Sequence, residues 1–99
     1  MTFVEAALHA DPGELEDTAR LLAALGQPIR LRIVRGLIHG DCCVGTMVDC
    51  LGLPQPLVSR HLAVLREAGV VSVEQEGRNR RYRVTHPRAE AVIRALERP

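Results

Sequence analysis

Apolar residues recur at helical spacing along most of this chain and change to strict alternation in one stretch. Residues 3–10 (FVEAALHA) make a short apolar segment that Asp11–Gly13 interrupt. Leu15, Ala19, Leu22 and Leu25 then fall three or four apart, behind Glu14, Glu16 and Asp17, acids that suit the positive end of a helix. Gly26 ends that helix, and Pro28 opens another with Ile29, Ile33, Val34, Leu37 and Ile38 as its apolar positions, closed by Gly40. Val44, Met47, Val48 and Leu51 predict a shorter helix stopped by Gly52. After the tight connection GLPQP, residues Pro56–Ala68 carry a stripe of Val58, Leu62 and Leu65, with Gln55 as the cap and Gly69 as the end. Here the period drops to two. VVSVEQ reads as a strand, EGRN as a turn and RRYRV as the returning strand, before a last helix over about Arg88–Leu96 with Val92, Ile93 and Leu96.

A short helix, a Gly-containing turn, a longer helix and an Arg-tipped hairpin predict a winged helix-turn-helix. The fold class is mainly α with a β-hairpin wing, in a single domain. On the second helix of the pair, Val58, Leu62 and Leu65 share one side, while Pro56, Ser59, Arg60 and Ala63 share the other. That second side is slim and polar enough to enter a major groove. Gln55, Ser59 and Arg60 stand near its N-terminal end, where such helices touch base edges.

Composition sharpens this picture in three places. With one Phe, one Tyr and no Trp in 99 residues, the core must be aliphatic, and a core so small gains from dimerisation. The net charge of +1 is unremarkable for a nucleic-acid binder, but its layout is uneven. All basic residues are arginines: none lies in residues 1–17, and Arg78, Arg80, Arg81, Arg83 and Arg88 crowd the hairpin without an acid among them. Arginine makes bidentate contacts to phosphate and guanine, so Arg78, Arg80 and Arg81 are expected at flanking phosphates or in the minor groove. No run of residues approaches the length of a membrane span and no signal-peptide layout is present, so a cytoplasmic protein with no membrane partner is expected. No phosphate loop, nucleophile elbow or His-Glu metal-hydrolase helix is found, so the chain is not read as an enzyme.

The stretches LLAALGQPIRLRIVRGL, VGTMVDCLGLPQPLVSRHLAVLREAGVV and GRNRRYRV together resemble the ArsR/SmtB family of bacterial repressors, in the right order over about residues 15–85. The resemblance implies a homodimer formed by the first and last helices (residues 1–12 and 87–99), a helix-turn-helix over 41–69 and a wing over 70–85. It implies double-stranded operator DNA as partner and release by an inducer. Gln55, Pro56, Leu57, Ser59, Arg60 and His61 would then lie at the DNA. Two positions depart from the family pattern: Pro54 replaces the usual Ser or Thr cap, and Leu57 stands where Thr or Asn is common.

Three cysteines fall within ten residues, in DCCVGTMVDC. An odd count argues against a closed disulfide framework. Aligned with the family's Cys-x-Cys motif, Cys43 takes the first position, Gly45 the second, and Val48 stands where arsenic sensors have a third thiol. Cys43 and Cys50 would share a helix face but with a rise of roughly 10.5 Å, too far for one ion. Cys42 and Cys43 could chelate together from an irregular turn after Gly40, with a third ligand from Cys50 if its helix end unwinds or from His9 or Asp11 on the other subunit's N-terminal arm. At a helix start, the positive dipole end would favour their thiolates. The expected inducer is a thiophilic ion of the As(III), Cd(II) or Pb(II) type at Cys42, Cys43 and Cys50, with no obligatory cofactor. Open alternatives are a redox or reactive-sulfur thiol switch, Cys50 as plain core, and a winged-helix protein with no metal inducer.

Overall fold

The computed structural model describes residues 1–9 and 11–97. Its elements run α1 (Phe3–Leu8), α2 (Pro12–Leu25), α3 (Pro28–Leu37), β1 (Cys42–Cys43), α4 (Val44–Leu51), α5 (Gln55–Glu67), β2 (Val71–Glu76), β3 (Asn79–Val84) and α6 (Ala89–Leu96). Residues 10, 98 and 99, which fall within the expected dimerisation segments, lie outside the described residues.

Local chemistry fixes the helix starts. The Asp11 carboxylate accepts the Gly13 N–H at 2.9 Å and Pro12 takes the first turn, so the stretch that interrupts the apolar pattern is itself the start of α2. Gln27 caps α3, its Oε1 accepting the Arg30 N–H at 3.0 Å. At α5 the expectation of Gln55 as cap is corrected: Pro54 holds the cap position and Gln55 is already helical. Pro56 is tolerated there because the first N–H groups of a helix have no intrahelical partner.

The hairpin pairs Val71 with Val84 through Glu76 with Asn79 and turns at Gly77–Arg78, where Gly77 takes the positive φ of 59° that a two-residue turn requires. A third strand was not expected. Cys42 pairs with Tyr82 and Cys43 with Arg81, giving the antiparallel order β1–β3–β2. The segment before α4 is therefore extended strand, not the irregular turn that chelation by adjacent cysteines needs.

The core is aliphatic around Tyr82. Leu21, Val34, Val58, Leu62, Leu65 and Val70 are almost fully enclosed, joined by Leu25, Ile33, Leu37, Met47, Ala89 and Ile93. The expected apolar face of α2 is only partly right. Leu21, Ala24 and Leu25 face the core, whereas Leu15 and Leu22 stand half-exposed on another side of the helix. On α1 nothing is buried, and Phe3, Val4 and Leu8 face outward, as does Leu96 on α6.

Candidate nucleic-acid interface and thiol cleft

Helix α5 is locked from below by Val58, Leu62 and Leu65, which leaves Gln55, Pro56, Ser59, Arg60 and Arg66 exposed on its outer side. The hairpin stands beside it because Val70 is pinned from both directions. Its N–H donates to the Leu65 carbonyl at 2.9 Å, and its own carbonyl accepts from the Thr85 and His86 N–H groups. Between helix and hairpin runs a groove of about 280 Å³ lined by Gln55, Ser59 and Arg66 from α5 and by Arg78, Asn79 and Arg80 from the hairpin. No residue lining it is acidic.

Among the described residues, the arginines at and beside this groove are not ion-paired. Arg20, Arg35, Arg83, Arg88 and Arg94 each reach a carboxylate within 4.0 Å. Among the described residues, no carboxylate comes that close to Arg60, Arg66, Arg78 or Arg80. Arg80 instead lies over the Tyr82 ring, 6.0 Å from its centroid, which holds the guanidinium beside the groove.

The structure thus brings Gln55, Ser59, Arg78 and Arg80 together, with Pro56 and Arg60 exposed next to them. Leu57 is half-buried. Strand alternation sends Arg81 to the face opposite Arg80, across from Cys43 and Glu74. Arg66 and Asn79 were missed by the sequence reading. The signal for Arg66 was present, since it continues the Gln55, Ser59, Ala63 line at helical spacing.

His61 is a correction. It is buried on the inner side of α5, with Nδ1 3.3 Å from Nη1 of Arg30, and does not face the groove. Arg30 cannot accept a hydrogen bond, so Nδ1 accepts and the imidazole is neutral, its proton on Nε2. Burial pushes the His61 pKa below its ordinary value, and the nearby Arg30 and Arg60 charges push the same way. Arg30 also donates from Nε to the Ala24 carbonyl at 2.6 Å, so one side chain ties the end of α2 to α5.

The three cysteines separate. Cys42 lines a cleft between α3 and α4 together with Met47 and Cys50, while Cys43 borders the α5–hairpin groove. Cys50 is exposed, not core, because Met47 is the one α4 residue that is buried. The expected thiolate-favouring helix start also fails for Cys42, which lies outside α4. Its Sγ donates to the Cys43 carbonyl at 3.4 Å, and burial, then Cys43 and Cys50, push its pKa above the usual thiol value. Among the described residues, no group of three or more His, Cys, Asp or Glu is arranged to hold a metal ion.

Residues 27–73 match the family described as bacterial regulatory protein, arsR family. The transcriptional repressor PagR of Bacillus anthracis superposes with a TM-score of 0.81 at 34% identity, over 88% of this chain and 100% of that one. This chain belongs to the ArsR family. Among its relatives, the transcriptional repressor SmtB of Mycobacterium tuberculosis H37Rv is 46% identical over 87 residues, 86% of this chain, which spans 64% of the SmtB length. A further solved structure is the homodimeric winged helix-turn-helix DNA-binding domain of Mb0332 from Mycobacterium bovis, a possible ArsR-family transcriptional regulator. It superposes with a TM-score of 0.76 at 25% identity, covering 97% of this chain and 83% of that one. The fold is a winged helix-turn-helix, mostly helical, with the hairpin β2–β3 of its small antiparallel sheet as the wing. The family is one of transcriptional regulators and not of enzymes. No helix among the described residues is long and apolar enough to cross a membrane.

Proposed function

We propose that this chain is a homodimeric transcriptional repressor of the cytoplasm that binds double-stranded operator DNA and releases it when a thiophilic inducer reaches its cysteines. Residues 41–69 act as the helix-turn-helix and 70–85 as the wing, while the helices within 1–12 and 87–99 pair the two copies. The observation that carries the reading is the groove between α5 and the wing. Three arginines without a nearby carboxylate, Arg66, Arg78 and Arg80, line it together with the polar Gln55 and Ser59. A strand of duplex backbone passing there would meet no negative group and would find three arginines and several hydrogen-bonding side chains. Gln55, Pro56, Leu57, Ser59 and Arg60 would then be carried toward base edges by α5. Arg81, on the far face of the wing, serves at most an adjacent phosphate.

The thiol chemistry of the inducer rests on Cys42 and Cys50, which share a cleft, with Cys43 at the edge of the DNA groove. As(III), Cd(II) and Pb(II) are the first ions to try, since each favours sulfur. A Cys42–Cys50 disulfide formed by an oxidant or persulfide is the competing switch.

Fluorescence anisotropy on a duplex from the chain's own upstream region tests the reading. The wild type should bind with a steep salt dependence, and the Arg78→Ala/Arg80→Ala variant should lose at least tenfold in affinity. Its log–log salt slope should shrink by roughly 2, one for each phosphate contact removed. Equal affinity and slope in both proteins would sink the proposed interface. Release of DNA by a thiophilic ion in the wild type, and not in the Cys42→Ser/Cys50→Ser variant, is expected.

A further inference from the structure

Six Ser and Thr hydroxyls occur in this chain, and one of them, Ser59, lines the groove between α5 and the wing. Thr2 is taken up in capping α1, Thr18 accepts from Arg88, and Ser72 is half-buried on β2. Ser59 is exposed just past the first turn of α5. Arg66, Arg78 and Arg80 line the groove with it, and among the described residues no carboxylate lies within 4.0 Å of any of the three. We propose that Ser59 is a phosphorylation site, at which a protein serine kinase places the γ-phosphoryl group of ATP and so releases the DNA. The inference rests on the reading of this groove as the operator site and names a regulation of it.

The surroundings of Ser59 suit an anion fixed at that position. A phosphoserine carries a charge of about −1.5 to −2 at neutral pH and three acceptor oxygens, and a cluster of arginines is the partner that orders it. Guanidinium forks match phosphate oxygens in pairs. No acid lines the groove to repel the added charge. Ala63, four residues on, shares the face of Ser59, and its small side chain leaves room over the helix for the added group. Arg66 follows on the same line, and helical side chains lean toward the N-terminus, so Arg66 reaches back over Ala63 toward Ser59. Arg78 and Arg80 face it from the hairpin wall.

In the transfer step the bond between Ser59 Oγ and the γ-phosphorus forms as the bond from that phosphorus to the β–γ bridging oxygen breaks. ADP leaves, and the hydroxyl proton passes to the base of the kinase. Three arginine charges and one phosphate dianion leave the groove with roughly +1 where it had three positive charges. The effect on DNA is twofold: the arginines that would neutralise backbone phosphates are occupied, and the incoming phosphate meets a like charge. The start of α5 lacks a side-chain cap and Pro56 brings no N–H, so the turn ahead of Ser59 unwinds at low cost. That loosening offers a kinase an extended acceptor segment while the groove is free of DNA.

The test uses the full chain made with phosphoserine at position 59. In phosphorus NMR without DNA, the second ionisation of that phosphate should lie about one pH unit lower than in the same chain with Arg78→Ala/Arg80→Ala, because the guanidinium groups favour the dianion. Equal midpoints would overturn the arginine cradle. In anisotropy, the phosphorylated chain should bind the upstream duplex at least a hundredfold more weakly than the unmodified chain, with the same circular-dichroism signal, and phosphatase treatment should restore binding. Undiminished affinity would overturn the switch. Chain isolated from its own cells with phosphatase inhibitors present should carry a phosphate at Ser59 by peptide mass spectrometry. Its absence under every growth condition sampled would overturn Ser59 as a modified residue. The phosphorus titration is read without DNA, so its failure strikes the site alone, whereas an unmodified chain that does not bind the duplex ends the repressor reading.

Discussion

His61 shows how a single residue can support the outer face of α5 without lying on it. Its ring lies on the inner side of α5 and accepts from Arg30, which also holds the Ala24 carbonyl, so α2, α3 and α5 meet at one guanidinium. Protonating His61 would set a buried cation against Arg30 and Arg60, and the folded pKa lies below the ordinary value for that reason, after burial itself. The sign follows directly. The unfolded chain takes up the proton first, near pH 6.5, so stability is full above that value and falls as pH drops toward the folded pKa. His61→Gln, which can still accept from Arg30 but does not titrate, should flatten the slope of urea-unfolding stability between pH 7 and 5. An unchanged slope would show that other groups carry it. Arg30→Ala removes charged hydrogen bonds and should cost about 1.5–3 kcal/mol at neutral pH.

At the scale of elements, the joint between α5 and the wing carries a clear prediction. Gly69 sits at φ 76° immediately before the pinned Val70, and a Cβ there would meet nothing within 4 Å. Gly69→Ala should therefore destabilise through backbone strain alone, by about 1–3 kcal/mol. Gly36, inside α3 and equally open to a Cβ, has no positive φ, so Gly36→Ala should stabilise by about 0.5–1 kcal/mol. Thermal melts at one protein concentration would show opposite shifts; shifts of the same sign would contradict the backbone argument. These glycines also mark what the sequence made legible. Spacing and punctuation yielded the helix order, the hairpin and the polar face of α5, because those features depend on neighbours three or four residues away. The Cys42–Cys43 strand was hidden because two residues become a strand only through pairing with Tyr82 and Arg81, some forty positions on. That pairing divides the cysteines between two clefts, so the thiol site could not be drawn from their spacing. His61 misled for a different reason: it lies on the boundary of the apolar stripe, three residues after Val58 and four before Leu65, and its polar ring is satisfied there by Arg30 from α3.

For the whole molecule, the outward leucines carry the argument. The spacing of Leu15 and Leu22 marks them as core, yet the chain's own core is closed by Leu21, Ala24 and Leu25, leaving both leucines about half-exposed. Leu96 at 70% and Phe3 at 85% exposure extend apolar surface onto α6 and α1. Helical periodicity records that a residue is wanted out of water, not which copy covers it. Full burial of each such side chain is worth roughly 1.5–3 kcal/mol, so a few of them supply a large share of a stable association. A second copy is the natural cover for a repressor reading a two-fold operator, since a two-fold dimer presents two α5 helices to two half-sites. Leu15→Glu/Leu22→Glu should leave the monomer core untouched, because neither side chain contributes to it. Sedimentation velocity should find the wild type dimeric at micromolar concentration and the double variant monomeric with retained helical signal. The monomer should bind a full operator at least a hundredfold more weakly, having lost the second half-site. A variant that stays dimeric would confine the interface to α1 and α6, leaving α2 outside it, and Phe3→Glu and Leu96→Glu become the decisive substitutions. A monomeric variant with undiminished affinity would show that one copy suffices at the DNA.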